Sequence, residues 1–319
     1  MTVKSYKGKV VKSTGSWYLI KTEDNQLIES RIKGKFRLKN TRTTNPVAVG
    51  DHVDYVLEEN GNGIITRLHE RHNYIIRKST NLSKKYHIIA SNIDQLVVIS
   101  SIVQPNIAFG LIDRLLVTAE AYGIDASIVF NKFDLVHGSK KAEEQLDLAL
   151  DIYESIGYKC IITSVENKFG VNDLKETLKG KTSLVSGHSG VGKSSIINAV
   201  DPQLDLKTSE VSEFNEKGKH TTTFAELHPL IELGDDSEII DTPGIRSFGI
   251  IDFEPEHLGH YFPEIKAKMA ECKFNNCVHI NEPKCAVKNA LEEGEIHPYR
   301  YAHYVAMFED DDLKKEWEL

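Results

Sequence analysis

Gly187-His188-Ser189-Gly190-Val191-Gly192-Lys193-Ser194 fits the phosphate-loop pattern G-x-x-x-x-G-K-[ST]. An apolar run, Ser183-Leu184-Val185-Ser186, precedes it and a helical pattern over 194–200 follows, the strand–loop–helix setting in which that pattern works. The glycines allow backbone N–H groups to turn inward around a β-phosphate, and the helix N-terminus adds a favourable dipole. Lys193 is placed to meet the β- and γ-phosphates, and the Ser194 hydroxyl to ligate Mg²⁺. Gly187, Ser189, Gly190, Val191, Gly192, Lys193, Ser194 and the following Ser195 are therefore candidate nucleotide ligands.

Downstream, Asp241-Thr242-Pro243-Gly244 follows the apolar strand pattern Glu238-Ile239-Ile240. An Asp ending a strand beside a phosphate loop is where the second magnesium-organising carboxylate sits, and Gly244 can offer its N–H to a γ-phosphate. Between the two lies Gly218-Lys219-His220-Thr221-Thr222-Thr223. One of these threonines, Thr222 by preference, is expected to close over Mg²⁺ and the γ-phosphate and be released on hydrolysis. The polar stretch 206–219 before it suits such a switch. Many GTPases carry Gln directly after the glycine of D-x-x-G; here that residue is Ile245, which can neither donate nor accept. His220 is the candidate for positioning water in its place.

Upstream, Asn131-Lys132-Phe133-Asp134 follows the strand pattern Ser127-Ile128-Val129-Phe130. N-K-x-D is the guanine reader of GTP-binding domains. A carboxylate such as Asp134 accepts from guanine N1–H and its exocyclic amine, whereas adenine presents an acceptor at N1. Asn131 is expected at the other edge of the base, with the Lys132 stem covering it. Ser164, at the end of Ile161-Ile162-Thr163-Ser164, is expected to support this loop. In an ordinary GTPase the phosphate loop precedes the guanine reader. Here the order is reversed, as it would be in a circularly permuted domain.

The 319 residues are 40% apolar and 27% charged, a soluble globular composition sized for two or three domains. Residues 1–90 carry 17 Lys+Arg against 8 Asp+Glu, a net +9, so the remainder holds −17 of the total −8. A basic N-terminal part on an acidic chain suggests a polyanionic partner for that part alone. No apolar run approaches a membrane span, and a cytoplasmic protein without membrane contact is expected. Cys272-x4-Cys277-x-His279-x5-Cys285 supplies three thiolates and an imidazole, a full tetrahedral set for one structural Zn²⁺ with no position left open for catalysis. Cys160, alone on an apolar strand pattern, reads as core packing.

Strand patterns at 9–13, 17–21, 27–32, 52–57 and 63–68, separated by turn residues, predict an OB-type barrel over 1–72, with an SH3-like barrel as the near alternative. The segment 31–39 alternates cations with apolar residues and is a candidate basic loop. From about residue 93 strands alternate with helices, predicting an α/β domain over 73–248 with a largely parallel sheet. Strands are expected at 95–100, 127–130, 159–162, 183–186 and 238–240, and helices at 111–122 and 140–156. Residues 249–319 are expected to be mainly helical around the cysteines and to end in an acidic, solvated tail.

The order N-K-F-D, T-S-V, G-H-S-G-V-G-K-S, G-K-H-T-T-T, D-T-P-G resembles the circularly permuted GTPases. With a barrel before it and a Cys/His cluster after it, the whole chain closely resembles the bacterial ribosome small-subunit-dependent GTPase A (RsgA) family. The resemblance implies a barrel that contacts ribosomal RNA, a permuted GTPase domain using GTP/GDP and Mg²⁺, and a C-terminal zinc domain. It further implies a partner, the 30S subunit with its 16S rRNA, a role in late 30S maturation, and hydrolysis stimulated by that particle. A hydrophobic residue at position 245 is normal for the family. Val165 departs from the alanine often found there. The chain is expected to act as a monomer, and its permuted order leads the switch at 241–245 directly toward the zinc domain, making a swing of that domain an attractive expectation. Two rivals are a nucleotide-gated RNA-binding module with incidental hydrolysis and an ATP-using P-loop kinase. Asp134 separates off the second: labelled GTP should be displaced by GDP and not by ATP at equal concentration, and displacement by ATP would return the kinase reading.

Overall fold

The computed structural model describes residues 4–32, 45–78, 86–206, 225–234, 236–241 and 255–309. Five strands come first: β1 (Tyr6–Ser13), β2 (Tyr18–Thr22), β3 (Leu27–Ile32), β4 (His52–Leu57) and β5 (Gly63–Leu68). β1 pairs with both β2 and β4, and β3 runs parallel to β5. The circuit β1-β2-β3-β5-β4-β1 therefore closes, which is the OB arrangement rather than the SH3-like one. Val10, Tyr18, Ile20, Val53, Tyr55 and Ile65 point inward and fill it. Arg31 of the basic segment pairs with Glu58 at 2.7 Å; residues 33–39 lie outside the described residues.

A hairpin, β6 (Tyr74–Lys78) and β7 (Tyr86–Ser91), joins the barrel to the rest and is absent from the sequence expectations. Its apolar residues come as neighbours, Ile75-Ile76 and Ile88-Ile89, all buried, so the period-two alternation that signals a strand is missing. Asp51, fully buried, fixes this region: it accepts from Arg71 Nε at 2.6 Å, Ser91 Oγ at 2.6 Å and the Ala48 N–H at 2.8 Å.

The central unit follows as β8 (Gln95–Ser101), α1 (Phe109–Tyr122), β9 (Asp125–Asn131), α2 (Lys140–Glu154), β10 (Lys159–Ile162), α3 (Val171–Leu178), β11 (Thr182–Ser186), α4 (Lys193–Val200), β12 (Glu226–Pro229) and β13 (Glu238–Asp241). Strands β10-β9-β8-β11-β13 are parallel neighbours in that order. Their residues alternate between two cores: Leu96, Val98, Ile128, Phe130, Leu184 and Ile240 meet α1 and α2. Val97, Ile99, Val129, Val185 and Ile239 meet α3 and α4. Both faces are covered, as an all-parallel sheet demands. From β8 the chain winds outward one way and from β11 the other, so the crevice between β8 and β11 is a topological switch point, where such sheets bind ligands.

β12 is antiparallel to β13 and bridges β1 at Lys12↔Glu226, making the barrel a continuation of the central sheet. The seam is ionic. Lys9 meets Glu238 at 2.5 Å, Lys21 meets it at 3.5 Å, and Lys12 meets Glu226 at 2.8 Å.

The C-terminal unit contains α5 (Pro263–Met269), α6 (Ala286–Glu292) and α7 (Pro298–Glu309) around Leu258, Phe262, Ile265, Val287, Ile296 and Tyr304. α1 contributes Val117 to this core. Arg300 of α7, 1% exposed, forks between Asp113 of α1 (2.6 Å) and Glu264 of α5 (2.7 Å), with its guanidinium over the Phe262 ring. Asp113 also accepts from Tyr153 and meets His303. Among the described residues no helix is long and apolar enough to cross a membrane.

The seam yields a pH-dependent stability. Burial works against the charge of Glu238, but Lys9, Lys21 and the Thr182 hydroxyl outweigh it and hold its carboxyl below the ordinary value of 4.5. A carboxyl lowered by folding contributes stability fully above its unfolded pKa and loses it as pH falls through the folded one. Glu238→Gln is expected to cost ~2 kcal/mol at pH 7. In denaturant titrations the gap from wild type should narrow below about pH 4.5, and a gap independent of pH would contradict this account.

Candidate nucleotide site and metal cluster

The parallel strands carry the phosphate loop, the guanine-reader motif and Asp241 to one edge of the sheet. Asp241, the last residue of β13, is in register with Val185 of β11, one residue short of the strand end. Burial lowers the pKa of Lys193, while the nearby Asp241 carboxylate opposes that shift. The Lys193 ammonium donates to the carbonyls of Gly187 and His188, both at 2.9 Å, so the lysine curls back over its own loop. Gly192 is the N-cap of α4 and no side chain caps the helix's first N–H groups, leaving them available to an anion. Ser194 and Ser195 lie in this first turn, half-buried, while Ser189 and Gly190 are exposed on the loop and Val191 is buried beneath it.

Two glycines of the loop are required by contact. A Cβ on Gly187 would stand 1.9 Å from the Ile99 carbonyl oxygen, and one on Gly192 2.6 Å from the Asn131 amide nitrogen; both positions also have positive φ. The second contact joins the two motifs. Asn131 Nδ2 donates to the Val191 carbonyl at 2.9 Å and its Oδ1 accepts from Thr163 Oγ1 at 3.1 Å. Sixty residues apart in the chain, reader and phosphate loop are thus bound by one buried amide.

Lys132, in the left-handed region at φ 64°, donates to the Gly190 carbonyl at 2.7 Å and to the Gln104 carbonyl at 2.6 Å. Its stem crosses from the reader to the phosphate loop. Asp134 Oδ1 accepts from Ser164 Oγ at 2.5 Å, leaving Oδ2 for another partner. Asn131 is 3% exposed, and one N–H and one lone pair of its amide tie the reader to the phosphate loop and to Thr163. Gln104 escaped the sequence reading because it offers only a backbone carbonyl, which no residue pattern marks. Cys160 is half-buried and its thiol is pushed up to about 12 by burial, with Glu154 adding to the shift, in keeping with a packing role. His220, Thr222, Gly244, Ile245 and the 206–219 stretch beyond Leu206 lie outside the described residues, as do 242–254.

The second cluster brings Cys272, Cys277, His279 and Cys285 together with ligand atoms all within 4.8 Å of one another. His279 Nδ1 lies 3.6 Å from Cys272 Sγ and 3.4 Å from Cys285 Sγ, and those two sulfurs are 4.0 Å apart. Tetrahedral zinc bonds would set N···S at about 3.5 Å and S···S at about 3.8 Å, so the residues fit the ion. Burial pushes the Cys277 thiol up to about 12, so a thiolate set here calls for a cation. The knuckle is shaped by its neighbours. The Glu282 carboxylate accepts from the N–H groups of Val278, Ile280 and Asn281, which overcome burial and hold its pKa below the usual range. Tyr301 and Tyr304 of α7 donate to the carbonyls of His279 and Val278 at 2.7 and 2.8 Å.

Comparison with known proteins bears on both sites. Residues 68–251 match the family model described as RsgA GTPase, and residues 7–65 match the model of the RsgA N-terminal domain. The chain belongs to the RsgA GTPase family. The small ribosomal subunit biogenesis GTPase RsgA of Flavobacterium johnsoniae is 53% identical over 309 residues, spanning 96% of this chain and 93% of that protein. The crystal structure of YjeQ from Thermotoga maritima superposes with a TM-score of 0.78 at 34% identity, covering 96% of this chain and 98% of that one. That of YloQ, a circularly permuted GTPase, gives 0.74 at 33% identity, covering 98% and 96%. As an RsgA GTPase the chain is a GTP hydrolase of permuted order, and its reversed motifs lie together at one edge of the sheet.

The metal cluster gives a direct measurement. Elemental analysis of the purified protein should find close to one zinc per chain, and Cys277→Ser should lose it together with the fold of the C-terminal unit. Protein that folds fully with no zinc after metal-free preparation would exclude a structural ion.

Proposed function

We propose that this RsgA GTPase binds the small ribosomal subunit and hydrolyses GTP during late 30S maturation. The single observation that carries the site reading is the Asn131–Val191 hydrogen bond, which locks a guanine-reader motif onto a phosphate loop. Around it, Asp134 reads N1–H and the amine of guanine with Ser164 steadying its carboxylate, and Lys132 walls the base. Gly187, Ser189, Gly190, Val191 and Gly192 cradle the phosphates, with the Ser195 N–H in the same helical turn. Lys193 neutralises the β- and γ-phosphates on leaving Gly187 and His188. Ser194 and Asp241 organise Mg²⁺, with Thr222 and the Gly244 N–H closing on the γ-phosphate.

Hydrolysis needs a water placed in line. Ile245 cannot hold it, so we assign the task to His220, brought to the nucleotide by the particle's contact with the switch. Slow intrinsic turnover and large stimulation follow. The barrel, within residues 1–72 and carrying 13 Lys+Arg against 8 Asp+Glu, meets 16S rRNA. The GTPase unit is 73–248 and the zinc unit 249–319, where one Zn²⁺ on Cys272, Cys277, His279 and Cys285 holds the knuckle. The protein works as a monomer in the cytoplasm. The name of its relatives, small ribosomal subunit biogenesis GTPase, supports the small-subunit partner.

GTP turnover measured alone, with 30S and with 50S particles tests the reading. Turnover should rise at least tenfold with 30S only, roughly 1.4 kcal/mol in the barrier, and His220→Ala should lose most of that rise while keeping GTP affinity. Equal turnover in all three conditions would sink the small-subunit assignment, and full stimulation of His220→Ala would remove that residue from the mechanism. A Lys193→Ala chain that still supports subunit maturation would favour nucleotide-gated binding with incidental hydrolysis.

A further inference from the structure

One face of α1 docks on the C-terminal unit at regular helical spacing. Phe109, the first residue of α1, stacks on Tyr299 with ring centroids 5.5 Å apart and planes 12° from parallel. One turn on, Asp113 holds Arg300 at 2.6 Å with both side chains 1% exposed. A turn further, Val117 is fully buried in the core with Phe262, Ile265 and Tyr304. Residues four apart on a helix share a face, so the contact is a continuous strip. A buried ion pair resists separation, because either partner alone would be left charged and unsolvated; α1 and α7 therefore shift together.

Each helix touches a different ligand site. α7 holds the carbonyls of Val278 and His279 through Tyr304 and Tyr301, and His279 is one of the four candidate metal ligands. α1 is entered from the loop after β8, where the Gln104 carbonyl receives the Lys132 ammonium that also grips Gly190. The path from the metal knuckle to the phosphate loop contains α7, α1, Gln104 and Lys132, all among the described residues.

We propose that Tyr299 and Arg300 are positioning residues for the nucleotide site, acting through α1 and the Gln104 carbonyl on Lys132, and that guanine-nucleotide and zinc affinities are thereby linked. The inference rests on reading 131–134 and 187–194 as the guanine-nucleotide site. It places the coupling in a packed strip rather than in the chain that follows Asp241. By linkage, whatever factor GDP adds to zinc affinity, zinc adds to GDP affinity.

The test uses the full chain. Zinc affinity is measured by competition with a chromogenic chelator, with and without saturating GDP, after fluorescent GDP has been shown to bind. The expected result is zinc held roughly fivefold or more tighter with GDP. Tyr299 is 49% exposed, so Tyr299→Ala should melt like wild type and keep its zinc, yet lower the factor, the Arg300–Asp113 pair carrying what remains; Tyr299→Phe, which keeps the stack, should retain it. Zinc affinity indifferent to GDP in the wild type overturns the proposal, and so does an undiminished factor in Tyr299→Ala. Failure of GDP to bind at all would instead overturn the guanine-nucleotide reading.

Discussion

The parallel pairing of β8 with β11, from Gln95↔Ser183 to Val98↔Ser186, is the contact on which the rest of the molecule depends. β8 opens the central unit and β11 leads into the phosphate loop, yet hydrogen bonding sets them side by side. Once they are adjacent and parallel, their following loops must emerge at the same edge. The guanine reader after β9 and the phosphate loop after β11 then meet whatever their order along the chain. Only spatial neighbours matter to a nucleotide, and the sheet determines those.

Much of this was legible in residue patterns. Strands with one wet face, such as β3 and β4, alternate cleanly, and β10, β3, β4 and β5 fall at the residues expected. The phosphate loop, reader and Cys/His cluster were legible because their chemistry demands side chains at fixed spacing. What the patterns hid has two causes. The hairpin β6–β7 buries neighbouring residues and so lacks a clear period, and helix α3, though Val171, Leu174 and Leu178 share its buried face, spans only eight residues. The ties formed by backbone carbonyls, at Val191 and Gln104, leave no residue signature whatever. Asn131 shows the limit best: the motif marks the residue, but its place as a buried tie to Val191 comes only from the structure.

Ionic contacts divide by burial. At the barrel seam a buried Glu238 meets Lys9 and Lys21, whose side chains still reach water, and the Lys12–Glu226 pair is more open. Inside the α1–α7 contact, Arg300 and Asp113 are sealed from water. The first kind tunes stability with pH and salt. The second specifies geometry, since a half-satisfied buried pair is costly enough to exclude neighbouring arrangements. The chain thus attaches its two flanking units differently: the barrel by a strand and a wet seam, the metal-bearing unit by a dry one.

β12 is a four-residue strand, and its neighbours on either side are β13 and β1. In sequence it stands between the His220–Thr223 segment and Asp241, the two stretches that read as touching the γ-phosphate end of a nucleotide. It is also the piece that continues the sheet into the barrel. Among the described strands, hydrogen bonding thus runs unbroken from β9, β11 and β13, which carry the nucleotide motifs, through β12 to the barrel. The twist that each strand shares with its neighbours sets the barrel's orientation to the nucleotide strands, and β12, bridged to β1 at Lys12↔Glu226, is the strand on which that orientation turns.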